Sequence, residues 1–353
     1  MAQSQNLFNS TTLGDIKLAN RVVMAPMTRN RSPGNVPNAL NAEYYAQRAS
    51  AGLIITEGTA PEAMGRGYID IPGLYDDAQI AGWRAVAQAV HAKGGKIAVQ
   101  LMHVGRISHP DLLEGHTPLA PSAVAAKGEM FTHNGPKSLP VPRAMNEAEI
   151  ARAIASYGSA ARNAIAAGLD GVEIHAANGY LPSQFLAPNV NQRKDGWGGS
   201  LERRARFTLS AVDAAVAAIG AGRVGIGVSP GGTFNDIHND NVEGTYTHLF
   251  KALAPKGLAW LHIMGAPPGL DIAALAKKHF GGKVILAAGY DRAKAEADIK
   301  AGRAEAIAFG VPFLANPDLP DRLRRNAGLN APNQATFYGG GAAGYTDYPA
   351  LAA

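Results

Sequence analysis

The chain has 353 residues, 46% hydrophobic and 17% charged, against roughly 25% charged in ordinary soluble domains, so it can close a large core and does not read as disordered. Its 33 basic and 28 acidic residues leave a formal net charge of +5, but the basic residues are scattered singly, which argues against a nucleic-acid partner. There is no cysteine, so disulfides, thiolate metal sites and cysteine nucleophiles are excluded.

Residues 1–10 are polar and lack a basic segment followed by an apolar one, so no secretory signal is expected. No stretch reaches the roughly 18 apolar residues a membrane span needs. A cytoplasmic protein is expected, with its oligomeric state open between monomer and homo-oligomer.

Short apolar runs then alternate with segments of helical period. Strands are expected at 22–26, 53–57, 97–101, 171–175, 224–229, 260–264, 284–288 and 306–310. Helices are expected between and after them, at 38–51, 77–93, 147–167, 201–218, 244–253, 271–278, 292–300 and 318–326. Asn146 with Glu149 reads as a reciprocal helix cap, and Asn316 before Pro317 as a cap with proline in the first turn.

Strand followed by helix, repeated eight times with strands that lack polar alternation, implies a parallel sheet buried on both faces. Eight such units close into an α/β fold, a (β/α)8 TIM barrel, here one domain over 1–353. Such barrels need about 250 residues. The surplus falls mainly at 102–145, after the third strand, and reads as a lid over the site. A doubly wound sheet would carry a Gly-rich turn after its first strand, and the spacing of Gly225, Gly227 and Gly231 is wrong for one.

Active sites of such barrels gather where the strands end. Thr28, Gly58, Gln100, His175, Gly289 and Gly310 occupy those positions. If the turn after the fourth strand is helical, His175 and Asn178 are i, i+3 neighbours whose donors meet at one spot. Two neutral donors suit an oxygen that gains negative charge, such as a carbonyl becoming an enolate. Tyr180, whose phenol keeps its proton at neutral pH, is then the candidate acid. Alone, a His at a strand end is more often a hydrogen-bonded structural group than a catalytic one.

The surrounding runs decide between these readings. Ala-Pro-Met-Thr-Arg (25–29), Gln-Leu-Met-His-Val-Gly-Arg (100–106), His-Ala-Ala-Asn-Gly-Tyr-Leu (175–181), Trp-Gly-Gly-Ser-Leu-Glu-Arg-Arg (197–204), Asn-Pro-Asp-Leu (316–319) and Gly-Tyr-Thr-Asp-Tyr-Pro (344–349) stand in order along the chain. Together they resemble the Old Yellow Enzyme family of flavin-dependent ene-reductases, over essentially the whole length. The resemblance implies FMN at the top of the barrel, reduced by NADPH or NADH, and hydride transfer to an activated alkene such as an enone, maleimide or nitroalkene. It implies that Thr28 and Gln100 hydrogen-bond the flavin, with Pro26, Met27 and Gly58 packed along it. His175 and Asn178 then grip the substrate oxygen, Tyr180 protonates the α-carbon, and Tyr68 and Tyr338 match aromatic pocket positions. Thr28 places the chain nearer the branch of the family that lacks cysteine there.

The match has gaps. The family usually carries arginine at the positions of Gly227 and Val311, the first contacting the flavin and the second its phosphate. Backbone N–H groups near Gly289 and Gly310 could approach a phosphate closely. Even so, loss of two guanidinium contacts implies weaker FMN retention, with Arg292 as a candidate replacement cation. Met102 stands where tryptophan is common, implying a reshaped substrate pocket. These gaps motivate a rival reading, a barrel with a weakened or lost flavin site that binds or isomerises a ligand. A Schiff-base lyase is disfavoured because no Lys ends an expected strand. Asp236, His238 and Asp240 alternate like a metal loop but lack the rest of one, and His103, His109, His116 and His133 lack ligand spacing, so no metal is expected.

Overall fold

The structure, a computed structural model, describes residues 6–352, so the first five residues of the polar N-terminal stretch lie outside it. All eight expected strands are present: β1 (Val22–Met24), β2 (Leu53–Thr59), β3 (Ile97–Leu101), β4 (Gly171–Ala176), β5 (Val224–Val228), β6 (Trp260–Met264), β7 (Val284–Ala287) and β8 (Ala306–Phe309). Every neighbouring pair is parallel, and β8 returns to β1 to close the barrel. Strand residues are buried, apart from half-buried Met264 and Ala287 at the ends of β6 and β7, because the interior packs one face and the helices the other.

The eight expected helices form as well, with small shifts of their ends. The Asn146–Glu149 box is present on the helix Glu147–Ala166, each side chain accepting from the other's backbone N–H. The last start differs from expectation. Asn316 follows the short helix Val311–Ala315 and donates back to the Pro312 carbonyl, while Asp318 precedes the helix Leu319–Arg325 with Pro320 in its first turn. The break between these helices is set by Asn316 and Pro317 together, so the proline lies in a connection.

Two features have no counterpart in the sequence reading. A hairpin of Thr11–Leu13 with Ile16–Leu18 packs Leu13, Ile16 and Leu18 against Val23, Leu53, Ile55 and Trp260, sealing the barrel floor. The segment 102–145 contains a hairpin, Glu129–Thr132 with Gly135–Ser138, and a parallel pair, Leu119–Ala120 with Arg143–Ala144.

The interior is built in rungs. Gly58, Gln100, Glu173, Gly225 and Trp260 align across β2 to β6. Gly225 is required there, because a Cβ would lie 2.0 Å from the Trp260 ring. His175, Gly227 and His262 form the rung above.

Candidate active site

A cavity of about 700 Å³ opens at the C-terminal ends of the strands. Pro26, Met27, Thr28, Gly58, Gln100 and Met102 line it from β1 to β3, and His175, Asn178, Tyr180, Val311, Tyr68 and Tyr338 complete the expected set. Gly289 and Gly310 follow β7 and β8 as expected, but neither is part of this wall.

His175 and Asn178 come to line one cavity by a route other than a helical turn. His175 is still in β4, and Asn178 adopts the left-handed conformation at φ 55°, followed by Gly179 at φ 74°. Two left-handed residues in succession turn the chain sharply, which Asn tolerates and Gly favours. A Cβ at Gly179 would also lie 2.6 Å from the Phe234 carbonyl oxygen. The Asn178 backbone is clamped, its N–H donating to Ser229 Oγ (2.8 Å) and its carbonyl accepting from Asn235 Nδ2 (2.8 Å).

Burial pushes the His175 imidazole down to about 4, beyond what nearby Glu173 restores, so the ring is neutral at neutral pH. Its Nδ1 has no partner among the described residues, in a structure where buried polar atoms are otherwise largely paired. Tyr180 lies 5.1 Å from it between ring centroids and shares a 2.9 Å hydrogen bond with Tyr68 through their hydroxyls. Burial, with Tyr68 beside it, holds the Tyr180 hydroxyl well above its ordinary range, so it is a proton carrier across the usable pH span.

Below the cavity, Gln100 donates its amide N–H to Glu173 Oε1 (2.9 Å), leaving its own oxygen free to accept. Glu173 also receives the Trp260 indole N–H (2.8 Å) and stands 3.1 Å from His262 Nδ1. Burial raises the Glu173 carboxyl, but His262, Trp260 and Gln100 together outweigh it and hold the group below the usual carboxylate range.

Met102 explains Gly58. Its Sδ and Cε lie 2.5 Å from where a Cβ at position 58 would be, so the glycine lets the thioether reach over β2. At Gly227 a Cβ would lie 3.0 Å from both Glu173 Oε1 and Met264 Cε, so Met264 reaches into the space beside it. Arg292 is not a free replacement cation: it pairs with Glu296 (3.0 Å), lies over Phe8 (5.6 Å) and reaches the Arg324 carbonyl. No Lys or Arg is among the cavity's lining residues.

Other lining residues escaped the sequence reading: Asn30, Ile69, Phe131, Phe234, Met264, Leu314 and Phe337. Phe131 and Phe234 are 70% and 61% exposed, and an aromatic in a polar loop was the one signal that could have marked them. Asp236 and Asp240 hold no metal arrangement: His238 pairs with Asp240 (2.7 Å), and among the described residues no three His, Asp or Glu side chains stand together as ligands. His103 is buried 3.3 Å from Glu62. Trp197 donates to Glu147 and carries Arg206 over its ring at 4.3 Å, close to the start of the helix Leu201–Ile219.

A barrel with a polar-floored, aromatic-walled cavity at its strand ends is the architecture of an enzyme that binds a small molecule there. Residues 6–330 match the NADH:flavin oxidoreductase / NADH oxidase family. A chanoclavine-I aldehyde reductase of Penicillium roqueforti is 43% identical over 97% of this chain and 95% of its own length. Morphinone reductase in complex with tetrahydroNAD superposes with a TM-score of 0.95 at 46% identity, covering 99% of this chain and 98% of that one. The old yellow enzyme homologue from Zymomonas mobilis gives 0.96 at 38% identity, covering 98% and 100%.

The chain therefore belongs to the Old Yellow Enzyme family of FMN-dependent NAD(P)H oxidoreductases. The findings support a reductase and lend nothing to a barrel that has lost its flavin. No described helix is long and apolar enough to cross a membrane.

Proposed function

We propose that this cavity reduces the C=C bond of activated alkenes, with His175, Asn178 and Tyr180 carrying the alkene half of the reaction. The observation behind this is one buried imidazole, kept neutral and unpartnered at Nδ1, beside a clamped asparagine and a phenol that holds its proton. Bound FMN would supply the hydride chemistry, reduced by NADPH or NADH and oxidised by the alkene, whose β-carbon would receive the hydride.

The residues fit that cofactor. The cavity is large enough for a heterocycle with a substrate above it, within the common range of about 300–1,000 Å³. Gln100 is locked by Glu173 with its oxygen free for an N–H of the ring, and Thr28 supplies a hydroxyl. Pro26, Met27 and Gly58 offer flat apolar contact, and backbone N–H groups at Gly289, Gly310 and Val311 would meet the phosphate.

His175 and Asn178 hold the electron-withdrawing oxygen, which polarises the alkene and stabilises the charge that develops there. Tyr180 gives its proton to the α-carbon, and Tyr68 orients the phenol for that transfer. Tyr338 and Met102 bound the substrate, and 102–145 caps the mouth through Phe131. The same reading makes this a cytoplasmic enzyme of small molecules, monomeric or homo-oligomeric, without a nucleic-acid role.

The test is direct. Purified protein should show a flavin absorption band, or gain one with FMN, and oxidise NAD(P)H on addition of N-ethylmaleimide or 2-cyclohexenone under anaerobic conditions. Flavin reduction without turnover of any alkene would refute the proposal.

A further inference from the structure

The C-terminal segment 333–344 is largely exposed and rich in glycine, yet it carries Phe337 and Tyr338 into the cavity wall. Little apolar burial holds it. Two arginines that follow the Thr28 loop hold it instead. Arg31 donates from Nε to the Gly341 carbonyl (2.9 Å), and from one terminal nitrogen to Thr336 (3.0 Å) and Ala343 (3.2 Å). Its other terminal nitrogen donates to the Arg29 carbonyl (2.9 Å) and reaches that of Phe337 (3.5 Å). Arg29 reaches Phe337 and Gly344, and its carbonyl accepts the Gly339 N–H (2.9 Å).

Both guanidinium groups are buried over the Tyr345 ring, Arg31 at 4.5 Å and Arg29 at 5.0 Å. No ion pair to a carboxylate is formed by either among the described residues; apart from an Arg29 bond to the Tyr44 hydroxyl (3.0 Å) and the Arg31 bond to the Arg29 carbonyl, their guanidinium donors serve carbonyls of this segment. A fork of fixed donors orders a flexible chain in a way an ammonium cannot. Of the two, Arg31 is separated from the cofactor face, because its bonds run to the segment and to the Arg29 carbonyl.

We infer that Arg31 is a positioning residue for the substrate, acting through residues 336–341 to hold Phe337 and Tyr338 as the outer wall of the cavity. It thereby sets the affinity for alkenes large enough to reach that wall, such as polycyclic enones. Small enones, confined over His175 and Asn178, do not depend on it. The inference rests on the alkene-reductase reading, which turnover of 2-cyclohexenone by the unaltered holoenzyme tests first and separately.

The experiment compares holoenzymes carrying Arg31→Met, Arg31→Lys, Tyr338→Ala and the Arg31→Met/Tyr338→Ala pair. KM and kcat are measured for 2-cyclohexenone and for a steroid enone, and hydrogen exchange is followed at amides 336–344 without substrate. Arg31→Met should speed exchange there, including at Gly339, and raise the steroid enone's KM by about tenfold with kcat and the small enone little changed. Arg31→Lys should give a partial rise. The double variant should lose clearly less than the sum of the two single variants, because both act on one wall. Additive effects, or an unchanged KM ratio between the two enones in Arg31→Met, overturn the inference. If Arg31→Met does not fold, Arg31→Lys decides: no rise in the KM ratio overturns it.

Discussion

Replacing Tyr180 by Phe removes one oxygen and leaves the ring. The structure makes the consequence separable into two parts. The first is chemical: the phenol whose ring lies 5.1 Å from the His175 ring loses its proton-donating hydroxyl, and general acid catalysis typically contributes 10²–10⁴-fold, about 3–5 kcal/mol of transition-state stabilisation. The second is structural. The Tyr68 hydroxyl loses its 2.9 Å partner in a mostly buried site, at about 1–3 kcal/mol of stability. Stopped-flow kinetics separates the halves of the cycle. The rate of flavin reduction by NADPH should stay within a few-fold, while reoxidation by 2-cyclohexenone should slow by at least about 100-fold. Because the phenol stays protonated far above neutrality, the oxidative rate of the unaltered enzyme should be flat from pH 6 to 9 as far as this group is concerned. Equal slowing of both halves, or an oxidative half unaffected by the change, would refute the assignment of the proton to Tyr180.

Three further outcomes are expected. His175→Ala and Asn178→Ala should each weaken binding of a para-substituted phenolate, which imitates the enolate oxygen, by about 10–100-fold from the loss of a donor to a charged acceptor, read by flavin spectral titration; unchanged affinity would remove the oxygen-binding role. Val311→Arg should lower the Kd for FMN by about tenfold or more, because Val311 is 44% exposed on a cavity wall without a lining cation and a guanidinium could reach the phosphate there; an unaltered Kd in a fluorescence titration would mean that backbone groups already suffice. Glu57, buried beneath the Thr28 loop, is pushed up to about 7 by burial, against the pull of the Arg29 N–H and Tyr45. Its contribution is therefore full below its unfolded value near 4.5 and is lost as pH rises through about 7. Urea unfolding should show the stability of the unaltered protein, relative to Glu57→Gln, falling by about 3 kcal/mol between pH 4.5 and pH 8, and a difference independent of pH would contradict it.

The barrel was legible in the chain because its units repeat and each apolar run is bounded by turn and cap residues. The Asn146–Glu149 box is a local device whose partners are three residues apart, so nothing distant decides it. The same locality explains the error at Asn316, where a proline marks a break whether it opens a helix or separates two. Thr28, Gln100, His175 and Tyr180 were legible as cavity residues because strand ends of a barrel converge by geometry.

Other features depend on residues far apart in sequence. That Arg292 is committed to Glu296 and Phe8 cannot be read from its place after β7, since Phe8 approaches from the other end of the chain. Phe131 and Phe234 reach one cavity from segments about a hundred residues apart, with no periodicity to announce it. The sequence by itself determined the order of strands and helices, the residue types offered at each strand end and the family. Only the tertiary structure decided how a left-handed turn carries Asn178 to the cavity that His175 lines, which donors are already spent, and how two arginines hold the C-terminal wall. The physical reason is that propensity and capping act over a few residues, whereas burial and hydrogen-bond partnership are set by whatever the closed barrel brings alongside.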